Sequence, residues 1–176
     1  MASSFIEIDE IGFWANDAFV EAVQLTLIDE IEHSQFNSVK WITEYKVQLA
    51  LQSIPMIYGG MSLMLEEYLV DDSRKAIVIG FCESIIDKIV SAETYFTGLQ
   101  LHEFRKRAMR ILQENGELNF KSEIEFNRAV DSSSWNQSSL MHTVKHRYVQ
   151  AFELVISLIK GEMNTTASSP EDYWNY

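Results

Sequence analysis

Residues 73–98 constrain the fold most, because they form the most apolar long segment of the chain. Apolar side chains recur in it at steps of three or four residues, and others widen the stripe. This period predicts an α-helix that is buried on most of its circumference. Glu83, Asp87 and Lys88 interrupt the segment, so no uncharged run reaches the roughly 18 residues that a membrane span requires. We therefore expect neighbouring helices to surround it.

The rest of the chain contains few residues that break helices. Only two prolines and seven glycines occur among 176 residues, which favours long uninterrupted helices. Residues 5–14 alternate poorly between apolar and polar, so we expect an irregular entry segment there, and no strand-like alternation longer than a few residues occurs in the chain. The length suits one domain. We predict an all-α fold, a single-domain bundle of six or seven helices around the buried helix, over residues 1–163, followed by a flexible tail over residues 164–176.

Local signals mark several helix ends. Asn16 is expected to cap a first helix that runs to about residue 35, since asparagine accepts hydrogen bonds from the free amides of a first turn. Pro55 is expected to end the second helix. Gly116 and Gly161 each follow an apolar helical stripe, where glycine supplies the left-handed residue that commonly ends a helix.

Acidic residues concentrate at the start of the chain. The net charge is -12, and residues 1–32 contain no Lys or Arg. Such a field repels phosphate backbones and attracts basic proteins, so we expect no direct contact with nucleic acid. The helical period predicts an exposed acidic face on the first helix, with Trp14 and Trp41 as aromatic anchors. The predicted partner-binding acids are Asp17, Glu21, Asp29, Glu30 and Glu32.

The acidic opening segment, IEIDEIGFWANDAFVEAVQLTLIDEIE over residues 6–32, also carries a resemblance. A compact, strongly acidic helical chain without a leader resembles the immunity proteins that bacteria make against toxins of contact-dependent growth inhibition and other polymorphic toxin systems. The resemblance implies an antitoxin-like protein that binds and occludes the active site of a cognate basic toxin, a nuclease domain, without catalysis. It is a resemblance of class, so it assigns no individual residue a role.

An alternative function rests on Glu83 and Asp87, one turn apart in the apolar segment. Two buried carboxylates at that spacing can serve as acid and base, which would suit a helical enzyme with an internal acidic pocket. A third hypothesis uses the basic run Arg105, Lys106, Arg107 and Arg110. This run could contact phosphates, but we expect it to pair with the acidic beginning of the chain.

No motif for catalysis, cofactor binding or metal binding occurs in the sequence. His142 and His146 have the spacing of two metal ligands on a helix, but Lys145 and Arg147 beside them repel a cation. We predict no enzyme activity, no cofactor and no bound metal. The first residues form neither the basic nor the apolar region of a signal peptide, so we expect a cytoplasmic protein. The sequence does not specify an oligomeric state.

Overall fold

A computed structural model describes residues 3–53, 60–91, 98–131 and 145–168 of the chain. The described elements are two strands followed by seven helices. They are β1 (Ser3–Ile8), β2 (Ile11–Asn16), α1 (Asp17–His33), α2 (Lys40–Ser53), α3 (Leu65–Tyr68), α4 (Asp72–Ser91), α5 (Gly98–Glu114), α6 (Glu123–Asp131) and α7 (Lys145–Ile159). The mostly helical fold predicted from the sequence is confirmed. Over the described residues, no helix is both long and apolar enough to cross a membrane.

The β-hairpin at the start of the chain corrects the prediction of an irregular entry segment. β1 and β2 pair antiparallel through a two-residue turn at Asp9 and Glu10, which both have positive φ angles, 52° and 65°. Two positive φ angles are typical of type I′ hairpin turns, which are usually built from Asn-Gly or Asp-Gly. Glu10 stands where glycine is usual, so the sequence lacked the turn signal.

The hairpin is anchored to the helical body through one face. Ile6, Phe13 and Ala15 are buried in the main core, and Phe5 packs against Trp14 with ring centroids 5.4 Å apart. A two-stranded hairpin alone is only marginally stable in water, so the hairpin needs this packing to stay folded. The strands therefore belong to the same core as the helices.

The helix at the centre of the core is α1. Fourteen of its 17 residues are buried, and it contacts the hairpin, α2, α4, α5 and α7. Five residues of α4 are buried, on one face, and Val90 is 73% exposed. A bundle arranged around the apolar segment of α4 is therefore not confirmed. α4 contains more apolar residues than the described fold buries. α1, in contrast, is almost completely buried although it contains charged residues.

Three predicted helix ends are confirmed by their hydrogen bonds and backbone angles. The Asn16 side chain accepts a hydrogen bond from the Ala18 amide at 2.9 Å, which caps α1. Gly116 and Gly161 lie just beyond α5 and α7 with φ angles of 78° and 71°. These ends are fixed by local chemistry, which explains why the sequence predicts them. Pro55 lies outside the described residues.

A short segment after α7 pairs with the free edge of β2. The Gly12 amide donates to the Thr165 carbonyl oxygen at 2.8 Å, and Ile11 forms a bridge with Thr166. The Trp14 indole donates to the Ala167 carbonyl oxygen at 3.1 Å. The flexible tail was predicted to begin at residue 164, and the described residues 165–167 contact β2 through these bonds and one isolated bridge. Residues 169–176 lie outside the described ones.

Two glycines provide opposite tests of this fold. A Cβ atom on Gly12 would clash with the backbone carbonyl of Ile6, while a Cβ atom on Gly80 in α4 would have no neighbour within 4 Å. We expect Gly12→Ala to lower the free energy of unfolding by on the order of 1–3 kcal/mol, because strand pairing must distort. Gly80→Ala should raise it by about 0.5–1 kcal/mol, because alanine favours the helix.

Urea denaturation of both variants, followed by circular dichroism, measures these two changes. Equal stability of Gly12→Ala and wild type would contradict the close approach of β1 and β2 at this position.

Candidate functional site

The acidic residues of α1, predicted to meet a partner, are bound by other parts of the same chain. The most buried ion pair joins Glu21 to Arg105 of α5, with 9% and 7% of the two side chains exposed. Because neither group reaches bulk water, each charge depends on the other for compensation. Tyr148 packs nearby on Phe19, and burial, followed by the charge of Glu21, raises the pKa of its phenol.

A second pair from α5 lies two turns further along α1. Arg107 donates to the Asp29 carboxylate, and His33 lies 3.6 Å from the same carboxylate. The His33 ring also contacts the Asp29 carbonyl oxygen at 2.8 Å, one turn back along the helix. Asp29 is thus enclosed by its own helix and by α5.

The two remaining pairs bring in α4 and α2. Lys88 of α4 donates to Glu30, and Lys46 of α2 donates to Glu32. Lys46 is itself buried and also donates to the Asn37 side chain at 2.7 Å. Four carboxylates of α1 therefore pair with cations from three different helices, and we call these four pairs the α1 ion-pair network.

Asp17 at the start of α1 has a neutral partner. Its carboxylate accepts a hydrogen bond from the buried Ser4 hydroxyl at 2.6 Å. The Ser4 oxygen in turn accepts from the Met61 amide at 2.9 Å. This chain of hydrogen bonds ties β1, α1 and the segment before α3 together.

The predicted exposed acidic face on α1 is therefore wrong. Asp17, Glu21, Asp29 and Glu30 are buried, and Glu32 is partly buried. The helical period does not report what covers these acids, and Glu30 lies on the side of α1 opposite Glu21, where a different helix meets it. The prediction that the basic run pairs with the acidic beginning of the chain is confirmed by Arg105 and Arg107.

The two predicted aromatic anchors lie on different parts of the molecule. Trp14 is partly buried and is bound to Phe5 and to residue 167. Trp41 is partly buried near the start of α2, with the Arg74 guanidinium 5.0 Å from the centre of its ring. Trp14 lies on β2 and Trp41 on α2, and the anchor role predicted for them stays a prediction.

Glu83 and Asp87, the basis of the alternative enzyme hypothesis, are both exposed on α4. They do not line an internal pocket, so the acid and base roles proposed for a buried pair lose their geometric basis. His142 lies outside the described residues and His146 is exposed. No group of three or more potential metal ligands occurs within the described ranges.

The exterior of the molecule is strongly acidic. Eighteen Asp and Glu residues are exposed in the described ranges, whereas the exposed Lys and Arg residues there are Lys40, Lys121, Arg128 and Lys160. The α1 ion-pair network contributes to this imbalance, because it places four cations against carboxylates of α1 and buries two of them, Lys46 and Arg105. The net charge of -12 therefore falls on the rest of the chain.

Four exposed acids lie close together in the sequence, in α3, in the link that follows it and at the first residue of α4. Glu66, Glu67, Asp71 and Asp72 are exposed, and Val70 among them is 65% exposed. We call residues 66–72 the acidic segment. Tyr68 within it packs on Tyr45 at 5.1 Å, and burial, then the charges of Glu44 and Glu67, raises the pKa of its phenol. Sequence analysis counted these acids but did not single them out.

An open groove begins where the acidic segment ends. It has a volume of about 510 Å³ and runs between the C-terminal end of α1 and one side of α4. Phe36, Ile77 and Phe81 form its apolar part, and polar or small residues complete its lining: Glu30, Ser34, Gln35, Ser73, Ala76 and Gly80. We call this feature the α1–α4 groove. In the sequence, the groove is marked by Gly80, a glycine within the predicted helix. The structure shows that this glycine is exposed.

Comparison with known proteins identifies no relative. No family model matches the chain, and neither a curated protein nor a solved structure is significantly similar to it. The functional argument therefore rests on the geometry and charge described above.

The α1 ion-pair network makes a direct prediction about stability. Arg105→Met should lower the free energy of unfolding by about 3–5 kcal/mol, because it removes the cation that pairs with the buried Glu21 carboxylate. The double variant Glu21→Leu/Arg105→Met should recover most of that loss, since no charge is then buried. Denaturant unfolding of the single and double variants measures both values.

Lys40→Met is the matched control, because Lys40 is 92% exposed and 3.9 Å from Glu44. It should leave stability nearly unchanged. If the single and double variants were equally destabilised, the loss would come from packing rather than from the unpaired charge.

Proposed function

We propose that this chain is an acidic binding protein that occludes a basic surface of a partner protein, as immunity proteins do for their toxins. The observation that carries the proposal is the excess of exposed acids over exposed cations in the described ranges, 18 against four. Electrostatic complementarity of this kind speeds association and selects basic partners. A nuclease domain suits it best, since its active surface must be positive to hold a nucleic acid.

The location of the acids supports binding rather than internal chemistry. Glu83 and Asp87 are exposed, and the α1 carboxylates are already paired with cations. Glu66, Glu67 and Asp72, in contrast, are exposed and form no ion pair within the described ranges, so they can approach a partner without breaking an internal pair. The protein would act in a one-to-one complex, by covering the partner's active site.

The acidic segment is the part of the surface that best fits a docking role. Four exposed acids surround the exposed Val70, and Trp41 lies near it through its contact with Arg74, which pairs with Asp71 at 3.4 Å. Apolar and aromatic groups supply most of the energy of an interface, while charges at its edge guide association. We therefore keep Trp41 as a proposed aromatic anchor. The acidic contacts with the partner are now assigned to residues 66–72 instead of the acids of α1.

The experiment is capture of the partner from the native host by immobilised protein, followed by assay of the partner's activity. We expect a basic protein to be retained at low salt, and a nucleolytic activity of that protein to be lost at one equivalent. The triple variant Glu66→Lys/Glu67→Lys/Asp72→Lys should weaken binding about tenfold or more, mainly by slowing association.

The matched control is Glu114→Lys/Glu117→Lys/Glu153→Lys, which changes the net charge equally but alters exposed residues of other segments. It should retain most of the affinity. Failure to retain any basic protein at low salt would refute the proposed function, as would full activity of the partner when saturated. Equal weakening by both triple variants would refute a role for the acidic segment.

A further inference from the structure

The α1–α4 groove has the dimensions and lining of a helix-binding site. Its residues on α4 run from Ser73 to Phe81, which spans about 12 Å, or two helical turns, at 1.5 Å per residue. Phe36 and Phe81 meet edge to face at 6.2 Å in its apolar part. An amphipathic helix places apolar residues of two successive turns into a groove of this kind.

One wall of the groove is acidic along its outer edge. Asp72, Glu83 and Asp87 are exposed on α4, at spacings that place them in one row with Ala76 and Gly80. No cation in the described ranges pairs with these three carboxylates. Glu30, which lines the groove, is already paired with Lys88 of α4. A helix lying in the groove would therefore meet negative charge beside an apolar surface.

Gly80 gives the groove room for close approach. Glycine inside a helix costs about 1 kcal/mol relative to alanine, and nothing lies within 4 Å of the place where its Cβ atom would be. Packing within the described part of the chain therefore does not require glycine here. An incoming backbone, in contrast, would benefit from the missing side chain.

We propose that the α1–α4 groove binds a basic amphipathic helix of the partner protein, with its apolar face on Phe36, Ile77 and Phe81 and its Lys or Arg residues beside the acids of α4. This inference rests on the proposed function and names the element of the partner that is recognised. A second copy of this chain is a poorer occupant, because two such grooves face to face would bring the same acidic rows together.

The test uses a synthetic peptide of roughly 18 residues, with Leu and Ala on one face of a helix and Lys on the other. We expect it to bind the wild-type protein with a micromolar dissociation constant and to shift the amide NMR signals of Ser73, Ala76 and Gly80. A permuted peptide of the same composition, without an apolar face, should bind at least about tenfold more weakly, because charge alone would then hold it.

Gly80→Trp places a large side chain in the groove from an exposed position where a Cβ atom meets no neighbour, and Val90→Trp is its control at an exposed position of the same helix. Gly80→Trp should reduce peptide affinity about tenfold or more, and Val90→Trp should leave it unchanged. Circular dichroism of both variants checks that the fold is intact.

Three results would overturn the inference: no binding up to about 1 mM peptide, equal binding of the amphipathic and permuted peptides, or equal binding by wild type and Gly80→Trp. If the native partner binds Gly80→Trp normally but is lost from the acidic-segment variant, the groove inference fails and the proposed function stands. If no basic partner exists at all, the proposed function itself fails.

Discussion

The burial of α1 depends on the pairing of its carboxylates with cations from three other helices. Glu21, Asp29, Glu30 and Glu32 could not lie among packed helices if they were left uncompensated, since an unpaired buried charge costs several kcal/mol. Each cation also fixes the position of the helix that carries it: Arg105 and Arg107 hold α5, Lys88 holds α4 and Lys46 holds α2. The network therefore determines which helix lies on which side of α1.

The same pairing determines the charge of the molecular surface. Each pair sums to zero, so the pairs leave the net charge of -12 unchanged, while they bury Lys46 and Arg105 and hold the partly exposed Lys88 and Arg107 against carboxylates of α1. The ratio of acidic to basic residues is consequently higher on the exposed surface than in the sequence as a whole. The α1 ion-pair network thus stabilises the interior and also leaves a surface that suits basic partners.

The sequence predicts those features that local chemistry controls and misses those that distant residues control. The cap at Asn16 and the glycine ends at Gly116 and Gly161 need only a few neighbouring residues, and all three are confirmed. The hairpin was missed because its turn uses Glu10 at a positive φ angle. The environment of the α1 acids was misjudged because Glu21 and Arg105 are 84 residues apart. Neither periodicity nor charge density along the chain distinguishes a solvated acidic face from one covered by arginines.

The position of α4 follows from the same reasoning and explains its excess of apolar residues. α4 is held against α1 by the Lys88–Glu30 pair and buries one face among the described residues, yet Ile77 is only partly buried and Val90 is exposed. Monomeric proteins seldom leave apolar surface uncovered beside a groove unless it binds something. Because the ion pair fixes the position of α4 relative to α1, both walls of the α1–α4 groove are already in place in the free protein. Binding to a preformed groove costs little conformational entropy. Most of the free energy gained by burying the apolar surface of the groove can therefore contribute to affinity.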